Sequence, residues 1–146
     1  MKVFFVDTNI LVDLAIAREP FDEDAKQLFR SALQEKVRLL TTPIALSTTL
    51  YWLQKGRPAD AQLAEKARRL IRFFVRVVEL AAVSKEHFIA SADSGFLDLE
   101  DGTQYAAAAA YAKLDALVTR DPDDFKPFVS EPVVDARGAI KLLAKA

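Results

Sequence analysis

The 146-residue sequence has no cysteine and one histidine, His87. The first absence removes disulfide scaffolds, thiolate metal sites and cysteine nucleophiles. The second removes any histidine-rich metal centre. A Ser-His-Asp triad would have to recruit His87, and no G-x-S-x-G elbow accompanies it. Long apolar runs are missing too. The opening Val3–Val6 is too short for a signal-peptide core or a membrane span, so a cytoplasmic protein with no membrane association is expected. Nor is there an excess of charge of either sign. The formal net charge of −1 gives the whole molecule no basic field to draw nucleic acid, so such binding would need a local basic patch or a metal ion. What remains plentiful is carboxylate, with 21 acidic side chains. Among metals these favour hard, oxygen-seeking cations.

A hydrophobic fraction of 51% and a charged fraction of 28% describe a globular protein with an ordinary core. The length suits one domain spanning residues 1–146. Lys2–Val6 is an apolar run of strand type, stopped by Asp7-Thr8-Asn9, and Ile10–Ala17 reads as a short helical turn. Asp22 is placed to cap a helix reaching about Lys36. A second strand is expected over Val37–Thr41, and Pro43 suits the first turn of a helix reaching Lys55. Ala59–Val75 is amphipathic, with Leu63, Ala67, Leu70, Ile71 and Phe74 on one face. A strand near Val77–Ala82 precedes a helix capped by Ser84, and Leu99–Leu114 carries an alanine run suited to packing closely on a sheet. Ala116–Thr119 is another strand, followed by Val133-Val134 and a last helix after Gly138. Helix and strand alternate throughout, which predicts an α/β fold around a parallel sheet.

Two aspartates stand directly after strands: Asp7 after the first and Asp121 after Ala116–Thr119. In a parallel sheet both fall on the carboxyl edge, where such folds place their sites. Asp98-Leu99-Glu100-Asp101 opens the alanine helix, and a helix N-terminus favours an ionised Asp101 pointing to the same edge. Any one of these is an ordinary cap or turn residue. Their joint placement points to a site for a hard divalent cation, because close carboxylates repel one another and a cation relieves that repulsion.

The segments that carry this pattern resemble a known family. Val3-Phe4-Phe5-Val6-Asp7-Thr8-Asn9-Ile10-Leu11-Val12-Asp13 is similar to the first strand and loop of PIN-domain ribonucleases. Asp98-Leu99-Glu100-Asp101 with Gln104-Tyr105-Ala106-Ala107-Ala108 resembles the family's third motif, and Leu117-Val118-Thr119-Arg120-Asp121 with Phe125 its last acidic strand end. The likeness runs from residue 2 to about 125, with the element order of the small VapC-type toxins. It implies a three-layer α/β/α fold with a central parallel sheet, and a Mg²⁺- or Mn²⁺-dependent endoribonuclease acting on RNA. It also implies an antitoxin protein as partner and a homodimer. Carried over by position, Asp7, Asp101 and Asp121 would be the catalytic, metal-holding residues, Asn9 and Thr119 polar supports, and Asp98 or Asp124 helpers through water. One position departs from the family pattern. The helix after the second strand commonly supplies an acid, and here Thr48 or Thr49 stands in its place. That substitution motivates an alternative: a PIN-type fold that binds RNA or a protein without cleaving.

Other features have plainer readings. Arg68, Arg69, Arg72 and Arg76 form a basic stripe that Lys55 and Arg57 would extend if their helices pack together; the expectation is a solvated helix face rather than a phosphate contact. Phe73 and Trp52 would either line an exposed groove or complete the core, and the core is the commoner outcome. Asp7-Thr8-Asn9 also invites comparison with phosphatases that use an aspartate nucleophile, but Asn9 stands where those need a second aspartate. His87 is assigned no role.

Overall fold

The computed structural model describes residues 1–145. These form five strands, all paired in parallel in the order β3-β2-β1-β4-β5, and seven α-helices. The strands are β1 (Val3–Val6), β2 (Arg38–Thr41), β3 (Val78–Leu80), β4 (Ala116–Val118) and β5 (Val133–Val134). The helices are α1 (Thr8–Ala15), α2 (Asp22–Leu33), α3 (Pro43–Gln54), α4 (Ala61–Val77), α5 (Lys85–Ala92), α6 (Leu99–Tyr111) and α7 (Ala136–Ala144). Two 3-10 turns, Pro122–Asp124 and Lys126–Phe128, follow β4.

Alternation along the central strand separates two cores, as a sheet covered on both faces requires. Phe4 and Val6 point into one with Leu28 and Phe29 of α2, Phe74 of α4 and Ala139 of α7. Phe5 points into the other with Phe96, Ala107, Ala108, Leu117 and Phe125. The arrangement is the expected α/β/α sandwich. The alanine run does what its small side chains permit: Ala107 and Ala108 are buried beneath the sheet while Ala109 and Ala110 face outward. Phe73 takes the core option, with its ring 6.1 Å from Phe29.

Element ends are where local chemistry shifts the expected boundaries. The first helix begins at Thr8 rather than Ile10, because the Asp7 carboxylate accepts the Thr8 N–H and caps it. Asp22 is already helical and caps nothing; its carboxylate lies 3.4 Å from the Lys26 ammonium one turn on. Asp60 and Asp135 supply caps for α4 and α7, so α4 runs over Ala61–Val77 and α7 starts two residues before Gly138. His87 does act locally, since its Nδ1 accepts the Ser84 N–H at 3.0 Å and closes the first turn of α5.

In the sheet order, the chain moves from β1 outward through β2 to β3, then returns to the other side of β1 for β4 and β5. The reversal puts a crevice at the carboxyl ends of β1 and β4, the topological switch point where open α/β sheets hold ligands.

Candidate active site

Asp7 and Asp121 both emerge at that switch point. The Asp7 N–H donates to the Val118 carbonyl at 2.9 Å, extending the β1–β4 pairing by one residue and fixing where the carboxylate begins. One Asp7 oxygen accepts the Thr8 N–H at 2.8 Å and the other accepts the Thr119 hydroxyl at 2.7 Å. Thr119 in turn accepts the Asp121 N–H at 3.0 Å. The Asn9 side-chain amide donates to Asp121 at 3.2 Å and to Thr119 at 3.3 Å, and its oxygen accepts the Arg120 N–H at 3.2 Å. Asn9 and Thr119 thus tie the two strand-end aspartates into one network. With both ends of its amide engaged in this way, Asn9 gives no support to the phosphatase comparison.

The α6 N-terminus brings the third carboxylate. Asp98 is its N-cap, accepting the Glu100 and Asp101 N–H groups at 3.0 and 3.1 Å. Gly102 lets this turn lie against α5: a Cβ there would sit 2.5 Å from Ser91 Oγ and 3.1 Å from Phe96. Ser91 Oγ also donates to the Leu99 carbonyl at 2.7 Å. Asp7, Asp98, Glu100, Asp101, Asp121 and Asp124 all line one cleft of about 320 Å³.

This cleft is electrostatically frustrated. Burial pushes the Asp7 carboxyl up to about 6 against its hydrogen bonds from Thr119 and Thr8, with the charges of Asp121 and Asp124 adding to the rise. Asp101 is pushed up to about 8, first by burial and then by the charges of Asp7 and Asp98. No cation among the described residues forms an ion pair with either. Among the described residues, no three acidic or histidine side chains converge closely enough to hold an ion as they stand. The donor chemistry nonetheless fits a hard divalent cation: the donors are all oxygen, and the crowded negative charge is what such an ion neutralises.

The α3 wall decides between the two threonines. Thr48 lines the cleft, while Thr49 is buried with its hydroxyl donating to the Ala45 carbonyl at 2.8 Å. Residues 3–123 match the PIN domain family profile. The chain belongs to the PIN-domain family. Over 109 residues, this PIN domain is 33% identical to Ribonuclease VapC1 of Aquifex aeolicus (strain VF5), a span of 71% of this chain and 72% of that protein. Its fold is similar to FitAcB from Neisseria gonorrhoeae, with a TM-score of 0.61 and 16% identity over 92% of this chain and 98% of that one. It is also similar to VapBC2 from Rickettsia felis, solved bound to a DNA fragment from their promoter. There the TM-score is 0.57 and the identity 16%, over 90% of this chain and 96% of that one.

Sequence reasoning missed three residues of this PIN domain's cleft and favoured the wrong place for a fourth. Glu100 and Arg18 line it, and so does Trp52, which takes the exposed-groove option rather than the expected core. Arg120 lines it as well, but its guanidinium is turned to Asp13, bonded at 2.7 and 3.1 Å and stacked 4.3 Å from the Phe21 ring. Asp13 lay in the quoted first motif without a role; it is fully buried and also lies 3.8 Å from Arg18. The one available signal was spacing, since Asp13 falls on α1 where it faces the loop after β4. The basic stripe is solvated as expected, with Arg68, Arg69, Arg72 and Arg76 exposed. Leu53 of α3 packs with Leu63 and Ala67 of α4, so Arg57 does join Lys66 and Arg69 in one shallow groove. Lys55 does not join that groove; it turns to Trp52.

Proposed function

We propose that this PIN domain is a single-domain, Mg²⁺- or Mn²⁺-dependent endoribonuclease, the toxin of a cytoplasmic toxin–antitoxin pair that works as a homodimer. Asp7, Asp101 and Asp121 are its catalytic, metal-holding residues. The observation that carries this reading is the meeting of those carboxylates in one cleft at the switch point, with none of them ion-paired to a cation among the described residues. The identity to a protein named a ribonuclease supports the activity, and the fold likeness to a VapBC assembly supports an antitoxin partner. When bound, a divalent ion would acidify water and offset charge on the phosphoryl oxygens of RNA. The chain's own part is positional. Thr119 and Asn9 hold Asp7 and Asp121 in register, and Asp98 fixes the turn that presents Asp101.

A second reading is motivated by Thr48, whose neutral hydroxyl stands on the cleft wall where an acid is common in the family. It makes the protein an RNA- or protein-binding module that does not cleave. Titrating Mn²⁺ into the wild type and Asp7→Asn while following cleavage of a mixed pool of structured RNAs separates the two. Metal-dependent cleavage lost in the variant is the expected result. Neither cleavage nor Mn²⁺ binding by the wild type would establish the binding module instead.

A further inference from the structure

Trp52 is the sole tryptophan of the chain, and 39% of it is exposed. Its neighbours on α3 are conventionally placed: Thr49 and Leu53 are buried. Trp52 instead lines the acidic cleft one helical turn beyond Thr48. Because β1 lies between β2 and β4, the helix that leaves β2 stands across Asp7 from the loop that carries Asp121. The cleft therefore has an aromatic side at α3, across Asp7 from Asp121.

The aromatic side also holds the available positive charge. The Lys55 ammonium lies 4.4 Å from the Trp52 ring centroid and the Arg18 guanidinium 5.9 Å from it. Arg120 is committed to Asp13 through two short bonds. Arg18 reaches that same carboxylate only at 3.8 Å. A strand of RNA approaching the carboxylates meets repulsion from all of them, and Arg18 and Lys55 are the nearby charges that can offset it.

We propose that Trp52 is a stacking platform for an unpaired nucleobase of RNA lying in the acidic cleft, with Arg18 and Lys55 passing from the ring to the adjoining phosphates. The proposal rests on the ribonuclease reading and names what its site recognises, a single-stranded segment. An indole face stacks on any base, so the contact is tolerant of sequence. A duplex keeps its bases stacked on each other and offers none to the ring. A partner protein's apolar helix is a poorer occupant, because Val12 is the only aliphatic side chain among the described residues that line the cleft.

The single tryptophan makes the test direct. Asp7→Asn protein, chosen because it should cut RNA about 1000-fold more slowly, is titrated with a fluorescently labelled single-stranded oligoribonucleotide, its abasic counterpart and a blunt duplex. Label anisotropy reports binding, and tryptophan emission reports the ring. Emission should be quenched in step with binding of the unpaired RNA, and not by the abasic strand. In the same background Trp52→Leu should bind the unpaired RNA about 10-fold more weakly, and Trp52→Phe should recover most of the loss. In the otherwise wild-type chain, Trp52→Leu should raise KM more than it lowers kcat. Binding with unchanged emission, equal quenching by the abasic strand, or full affinity in Trp52→Leu would each overturn the proposal. A Trp52→Leu protein whose oligomeric state changes while RNA affinity does not would assign the ring to a protein contact, and the proposal would fall. The two readings fail separately: a wild type that quenches but never cleaves in Mn²⁺ sinks the nuclease and keeps the platform.

Discussion

Two aspartates on the same short stretch of chain, Asp7 and Asp13, are both buried, and burial raises the carboxyl of each. They differ in what faces them. Asp13 is met by the Arg120 fork, with Arg18 behind it, and the hydrogen bond and charge of Arg120 pull its carboxyl back down. Asp7 is met by a hydroxyl and one backbone N–H, and its charged neighbours are further carboxylates. A buried carboxylate with its own guanidinium is already neutralised and reads as architecture. One held in place by neutral donors keeps its charge uncompensated, which is the condition a cation-binding site requires. Desolvation alone does not tell the two apart; the partner does.

Removing each charge should therefore fail in opposite ways. Asp7→Asn keeps an acceptor for Thr119 or Thr8 while deleting an unneutralised charge. RNA cleavage should fall about 1000-fold, with the thermal midpoint at or above that of the wild type. Cleavage at the wild-type rate would remove Asp7 from the catalytic set. Asp13→Asn should do the reverse, lowering stability in urea denaturation by about 3 kcal/mol. That is the low end for a broken buried pair, because the Arg120 side chain retains 22% exposure through which water can reach it. A loss below about 1 kcal/mol would show that Arg120 is solvated in the variant, and the contrast between the two aspartates would collapse.

The contrast also marks the limit of what the sequence reveals. Asp7 and Asp121 are legible because each ends an apolar strand run, and a parallel sheet sends strand ends to one edge. Asp101 is legible because it stands in the opening turn of a helix. Asp13 gives no such cue: its partner Arg120 is distant in sequence, and only the β1–β4 pairing brings α1 against that loop. Thr48 and Thr49 are equivalent on paper, and the way α3 packs against α1 sends one to the cleft and the other inward. Helix ends moved for the same kind of reason. Asp60 and Asp135 are adequate caps by composition, but whether a given aspartate caps depends on whether its backbone is extended, as at Asp7, or already helical, as at Asp22.

Asp101 depends on packing rather than on a partner, so its side of the site is tested through shape. Gly102→Ala gains helix propensity but places a methyl 2.5 Å from Ser91 Oγ and 3.1 Å from Phe96. Ser91 is itself held by its bond to the Leu99 carbonyl and has little room to yield. The expected net cost is about 2 kcal/mol in urea denaturation. Ser91→Ala in the same chain should return part of it by removing the closest atom. A neutral Gly102→Ala would mean that α5 moves freely, and that Gly102 does not fix where Asp101 stands.

The smallest effect comes from repeating the Asp13–Arg120 geometry in water. Arg38 and Glu79 on the neighbouring strands β2 and β3 form the same two-pronged pair, at 2.8 and 2.9 Å, but their side chains are 44% and 35% exposed. The hydrogen bond and charge of Arg38 hold the Glu79 carboxyl below its ordinary value. The sign follows from linkage: an acid easier to ionise in the folded state stabilises that state above its ordinary value of 4.5, and the gain is lost as pH falls through the lower folded value. Solvent screening reduces this gain to about 0.5 kcal/mol. A double-mutant cycle with Arg38→Gln and Glu79→Gln at neutral pH should return a coupling of that size, and the same cycle below pH 4 should return less. Since bond lengths and fork geometry nearly match those at Asp13, a coupling equal to that of the buried pair would show that geometry alone sets the strength. A small one assigns the difference to burial, which Asp7 shares with Asp13 without sharing its guanidinium.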